Sequence, residues 1–296
     1  MFRKLIAAAI AATALTVSAM APAAAAGEKL RLAITDLQGL EELQRDFGSF
    51  EAKLGEVTGY DIEFFPVPSR TAAAEALKAK KVDFVLTGPA EYVVIRKRTQ
   101  AYPVVSFGRP DYFGAIIVIA DSGITSPQQL KGKKVAFSDI GSTSGHLAPM
   151  QLLADYGVDP RNDIEAIHTS RNIMHEALKR GDVAAIGYNY RSWVSGARDK
   201  DKSLEPGAYR VIARGPDLPN DILVAGAHVD PAIADHMRKT IVANSKELIA
   251  AITSAEENDK YIGMQFIGNV KDEDYAYVRA AYATIGYPQY SDFVGN

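Results

Sequence analysis

Cysteine is absent from the 296 residues. That excludes disulfides, thiolate metal sites and a lipid-modified cysteine at a processing site. Histidine is scarce, and His146, His168, His175, His228 and His236 show no metal-ligating spacing. No cofactor and no metal are therefore expected. Neither sign of charge dominates, since the net charge is -3. That balance points to no nucleic acid and no membrane surface as partner, so an anion site must be a local arrangement. After the N-terminus no stretch is long and apolar enough to cross a bilayer.

What is present begins with a leader. Arg3 and Lys4 precede an apolar run from Leu5 to about Met20, and Ala24-Ala25-Ala26 offers small residues before Gly27. This order reads as a signal peptide over 1–26, cleaved near Ala26, and implies a periplasmic, freely diffusing monomer. A membrane anchor fits less well, because the run is Ala-rich and short for a span of about 20 strongly apolar residues. The rest of the chain is long enough for two lobes with one core each.

Strand-like and helix-like segments alternate along that remainder. Lys29–Thr35, Asp61–Val67 and Val82–Thr87 read as strands; Leu40–Val57 and Arg70–Lys80 read as helices. A second β-α-β set follows, with strands Lys133–Ser138, Ile164–His168 and Val183–Tyr188 and helices Ser142–Tyr156 and Arg171–Arg180. Such alternation predicts an α/β fold of mostly parallel sheets covered on both faces. Two apolar stretches, Phe113–Ala120 and either Asp221–Ala225 or Tyr209–Ala213, are expected to cross between the halves. Helices over about 231–252 and 272–285 would return to the first half. The expected division is 27–115 plus 222–296 for lobe 1 and 116–221 for lobe 2, joined by a hinge.

The segment with most chemistry is Asp139–Gly145, DIGSTSG, between a strand and a helix. The first N–H groups of a helix lack intrahelical partners and favour negative charge. Ser142, Thr143 and Ser144 would add neutral donors there, and Gly141 and Gly145 permit close approach. An ordinary N-cap is the plainer alternative, although a cap needs only one hydroxyl. Thr143 at the centre rules out a serine nucleophile elbow, and no Gly-Lys-Ser/Thr makes it a P-loop. A second strand-to-helix junction, Gly88–Tyr92, could bring the hydroxyls of Thr87 and Tyr92 to the same ligand; equally, it could be a simple helix start at Pro89. Trp193 and the tyrosines Tyr275, Tyr277, Tyr282, Tyr287 and Tyr290 are expected to pack the first lobe.

Three blocks, KKVDFVLTGPAEYVV (Lys80–Val94), KKVAFSDIGSTSGHLAPM (Lys133–Met150) and LPNDILVA (Leu218–Ala225), resemble the phosphonate/phosphite/phosphate substrate-binding family of ABC transporters, in that family's order. The resemblance spans most of the chain after the leader. It implies two doubly wound lobes of the periplasmic binding protein type II-like class, closing on a small phosphorus oxyanion and docking on an inner-membrane ABC permease. It implies that Ser142, Thr143 and Ser144 cradle the oxyanion and that Tyr92 reaches in from the other lobe. The chain departs from the pattern where Arg171 replaces a histidine, where Arg70 replaces an aromatic residue, and where Gly187–Arg191 lacks the carboxylate that would hold an ammonium tail. If both arginines face the cleft, their planar forks suit carboxylate or phosphate; the plainer alternative is two solvent-facing side chains.

Two other functions share such a scaffold. A sensor would present the ligand to a membrane histidine kinase, and a bilobal binder could take a different small anion. An enzyme would need a nucleophile–base pair or a cofactor lysine in the cleft, and the sequence offers none. Since no ligating cluster accompanies DIGSTSG, oxyanion binding is expected to persist in excess EDTA. Loss in chelator, restored by a divalent cation, would overturn that expectation in a titration of the mature protein.

Overall fold

The computed structural model describes residues 27–35, 39–203, 205 and 207–290, so the expected leader over 1–26 lies outside the described residues. Strand β1 (Lys29–Ile34) leads to α1 (Leu40–Thr58), whose Leu43, Phe47, Phe50 and Leu54 recur at helical spacing and are all buried. Gly59, at φ 74°, ends α1 in the left-handed conformation that glycine adopts without a Cβ clash. After β2 (Asp61–Phe64), Ser69 accepts the Ala72 N–H and starts α2 (Arg70–Lys78). Then come β3 (Phe84–Thr87), α3 (Pro89–Thr99), with Pro89 at its first position, and β4 (Tyr102–Gly108).

The second set is β5 (Gly114–Ile119), β6 (Lys134–Phe137), α4 (Ala148–Asp155), β7 (Glu165–His168), α5 (Arg171–Arg180), β8 (Ala185–Asn189), the short α6 (Tyr190–Trp193) and β9 (Tyr209–Arg214). The chain closes with β10 (Asp221–Ala225), α7 (Pro231–Ala243), α8 (Ser245–Ile252), β11 (Gln265–Ile267) and α9 (Ala276–Thr284). One sheet runs β11-β4-β10-β3-β1-β2, the other β7-β6-β8-β5-β9. Parallel pairing joins β1 to β2 and β3, and β6 to β7 and β8. Each sheet buries apolar side chains on both faces: one face of the first meets α1, α7 and α8, the other α2, α3 and α9. In the second sheet, α4 covers one face and α5 with α6 the other.

Some boundaries differ from the expected ones. The chain changes sheets at 109–113 and 215–220, because β5 lies wholly in the second sheet, paired with β8 and β9. The expected division after 115 thus falls inside β5, while that after 221 falls at the first residue of β10. The helix expected over 231–252 is two helices. Asn244, at ψ 30°, interrupts it, and its side chain donates to the Thr240 carbonyl at 2.8 Å. Trp193 packs in the second lobe with Met174, Leu178 and Tyr188, not in the first, because α6 folds back over β8.

Gly187 on β8 sits where the second lobe packs tightly. A Cβ there would stand 2.6 Å from both Phe137 and Pro149. Gly187→Ala is expected to cost about 1–3 kcal/mol by overpacking. The measurement is the midpoint of urea unfolding, which should fall without a change in slope.

Candidate functional site

The strand ends decide where the polar groups collect. In doubly wound sheets ligands sit beyond the carboxyl ends of the parallel strands. Here β3 ends at Thr87, β6 runs into Ser138 and β8 ends at Asn189, all buried. The Thr87 hydroxyl is 3.0 Å from that of Thr35, just beyond β1.

From Ser138 the DIGSTSG segment turns back. Ser142 takes the N-cap position and accepts the Gly145 N–H at 3.3 Å. The Ser142 carbonyl accepts from both His146 (3.1 Å) and Leu147 (3.0 Å), which widens Thr143–Leu147 into one π turn before α4. Pro149 helps to explain that turn. It has no N–H for the Gly145 carbonyl, which accepts instead from Ser138 at 2.9 Å. Gly145 cannot be larger, since its Cβ would stand 2.0 Å from Ser138 Oγ. Gly141, at φ 91°, donates its N–H to His146 Nδ1 at 3.0 Å. Ser138 Oγ is buried and has no hydrogen-bond partner among the described residues.

The two lobes meet at this turn. The Ala90 N–H, in the first turn of α3, donates to Thr143 Oγ1 at 3.0 Å. Gly88, the N-cap of α3, has no side chain to spend there, so the donor is left for the opposite lobe. Thr143 and Ser144 are both buried. The Tyr112 phenol is raised by burial, while Arg109 and the Ser144 hydroxyl act to lower it.

The other expected residues fall in different places. Tyr92 is fully buried, its ring tilted 56° to that of Tyr275 with centroids 4.3 Å apart, and its hydroxyl donates to Asp272 at 2.5 Å. Burial, then the Asp272 bond, raises its pKa far above the usual phenol range. Arg70 opens α2, and its side chain lies outside the described residues. Arg171 opens α5 and is exposed, and it lines a cavity of about 400 Å³ together with Arg109, Tyr112, Asn189, Arg191 and Lys260.

Arg109 and Asp221 were not singled out by sequence reasoning. Arg109 donates to Asp221 at 2.8 Å and lies 3.9 Å over the Tyr112 ring; Tyr261 donates to the other Asp221 oxygen at 2.8 Å. Asp221 lay in the quoted LPNDILVA block but reads there as a strand residue. The signal that could have found both is topological: charged residues at the ends of the segments that change sheets must lie at the cleft floor. Among the described residues no cluster of three or more His, Asp or Glu could hold a metal, and no helix is long and apolar enough to cross a membrane.

Residues 33–275 match the family described as "ABC transporter, phosphonate, periplasmic substrate-binding protein". The chain is 27% identical over 248 residues to the phosphate-import protein PhnD of Mycolicibacterium smegmatis, covering 78% of this chain and 74% of that protein. Among solved structures it is similar to XAC2383 from Xanthomonas citri bound to ATP, with 15% identity, a TM-score of 0.69 and coverage of 91% and 100% of the two chains. It is also similar to PhnD1 from Prochlorococcus marinus in complex with methylphosphonate, with 17% identity, a TM-score of 0.63 and coverage of 88% and 99%. These likenesses bear out the α/β fold of two doubly wound lobes in the periplasmic binding protein type II-like class.

His146 gives the site a pH signature. Burial, then the neighbouring His168 ring 4.6 Å away, pushes its pKa down from 6.5 to about 4. A depressed histidine favours the fold in its neutral form. The contribution is whole above pH 6.5 and is lost as pH falls toward 4, with an upper bound of about 3 kcal/mol. Ring NMR is expected to show His146 neutral down to about pH 4, and stability should decline with acid across that window. Titration of His146 near its ordinary value would contradict this.

Proposed function

The chain belongs to the periplasmic phosphonate-binding proteins of ABC transporters, and on that premise we propose that it captures a phosphorus oxyanion, phosphonate or phosphite in kind, between α3 and the Ser142–Ser144 turn. It then delivers the ligand to an inner-membrane permease. Function here is binding and hand-over, not turnover. The exported, periplasmic location expected from the leader belongs to the same reading.

The observation that carries the proposal is the 3.0 Å hydrogen bond from the Ala90 N–H to Thr143 Oγ1. Two helix starts, one from each lobe, converge on a single hydroxyl. Each presents backbone donors and the positive end of its dipole. A tetrahedral oxyanion seated there would accept from the Ala90 N–H, and Thr143 would rotate its own O–H to donate. Ser142 and Ser144 flank it, while Thr87 closes β3 just before α3 and the Tyr92 hydroxyl is committed to Asp272. Binding would tie the lobes together, which is how a hinge protein closes on its ligand.

Thr143→Ala is expected to weaken phosphonate or phosphite binding by about tenfold to a hundredfold, the range of one or two hydrogen bonds to a charged group. Isothermal titration of the mature protein measures it, with circular dichroism confirming the fold. Unchanged affinity in both Thr143→Ala and Ser142→Ala would remove this turn from the site.

A further inference from the structure

Beside the Ser142–Ser144 turn lies the cavity of about 400 Å³ lined by Arg109, Tyr112, Arg171, Asn189, Arg191 and Lys260. Its size is a first clue. A water occupies about 30 Å³ of liquid volume, so the space is many times what one tetrahedral oxyanion needs, and it falls within the range of small-molecule pockets. Tyr112 links the two places, since its phenol answers to the Ser144 hydroxyl at one end and Arg109 stacks on its ring.

The charge of the lining is the second clue. Four cations line the cavity, and the acids near them are Asp259 on its wall and Asp221 behind it. Asp221 is already committed, taking Arg109 at 2.8 Å and the Tyr261 hydroxyl at 2.8 Å, with Lys260 at 3.7 Å. Arg191 donates to the Ile262 carbonyl at 2.9 Å and makes no ion pair among the described residues. Arg171 makes neither an ion pair nor a hydrogen bond among them, and the first turn of α5 holds no acidic residue. A local excess of positive charge has thus been gathered in a chain whose net charge is -3.

We infer that this cavity takes a second anionic group of the ligand, a carboxylate joined by a short chain to the phosphonate. The inference rests on the reading that the phosphorus head sits at Ser142–Ser144. Guanidinium forks match the two oxygens of a carboxylate, and partial burial strengthens the pairing. Asn189 and Ser192 supply neutral polar edges for the linking atoms. An ammonium tail would face four like charges, with Asp221 already neutralised and Asp259 the one other carboxylate on the wall among the described residues.

The test is isothermal titration of the mature protein with methylphosphonate, phosphonoacetate, 3-phosphonopropionate and 2-aminoethylphosphonate, repeated on the double variant Arg171→Gln/Arg191→Gln. At least one carboxylated phosphonate should bind about tenfold or more tighter than methylphosphonate, the worth of a charge-assisted pair. 2-Aminoethylphosphonate should bind more weakly than methylphosphonate. In the double variant the ratio between carboxylated and methyl ligands should collapse toward one. Methylphosphonate binding as tightly as both carboxylated ligands, or a ratio that survives the double substitution, would overturn the inference while leaving the phosphonate reading intact. If none of the four binds, the reading itself falls, and the inference with it.

Discussion

Arg109 ties together the two passages between the sheets. It is the first residue after β4, on the first passage between sheets, and Asp221 is the first residue of β10, at the end of the second. Its guanidinium reaches Asp221 at 2.8 Å, and its backbone N–H donates to the side chain of Asn220 at 2.9 Å. Tyr261 completes Asp221, and Tyr275 donates to the Asn220 carbonyl at 3.0 Å. Both passages are therefore pinned to each other and to the C-terminal elements. A buried pair of this kind adds little compared with apolar packing, but removing one partner costs about 3–5 kcal/mol because a naked charge remains. Its value is positional, since both passages between the sheets are fixed at this clamp.

The C-terminal helix adds a second tie. Tyr282 on α9 donates to the Ala90 carbonyl at 3.1 Å, and Arg279 reaches Asp272, the partner of Tyr92, at 2.6 Å. On its other side Tyr277 donates to Asp155 at 2.9 Å and Thr284 to Gln151 at 2.5 Å, both on α4. α9 thus packs on α3, which begins at Pro89, and on α4, which follows the Thr143 turn. One of the tyrosines expected to fill the first lobe, Tyr277, also fastens it to the second.

Much of this was legible in the sequence, for reasons that can be named. Periodicity gave α1 because Leu43, Phe47, Phe50 and Leu54 face one core, and turn chemistry gave DIGSTSG because hydroxyls and glycines cluster between a strand and a helix. What stayed hidden was set by contacts distant in sequence. The passage at 109–113 is polar and reads as a loop, whereas FGAIIVIA reads as the natural bridge, yet that strand fills the middle of a sheet. The pairing of Arg109 with Asp221 joins positions 112 residues apart. Tyr92 carries the family pattern, but only the neighbourhood of Asp272 reveals what its hydroxyl bonds.

The hydrogen bond between Ala90 and Thr143 also sets the terms of selection. In this arrangement the backbone donor is already satisfied by a neutral oxygen of the protein. On the proposed reading, a ligand oxygen that takes the Ala90 N–H exchanges one hydrogen bond for another at that donor. What it can gain is the difference between a charged and a neutral acceptor, since bonds to ionised groups are roughly twice as strong. An uncharged molecule of the same shape would compete with the protein on equal terms and be left outside. On the proposed reading, discrimination is a matter of electrostatic surplus over an internal competitor, and Thr143 is that competitor.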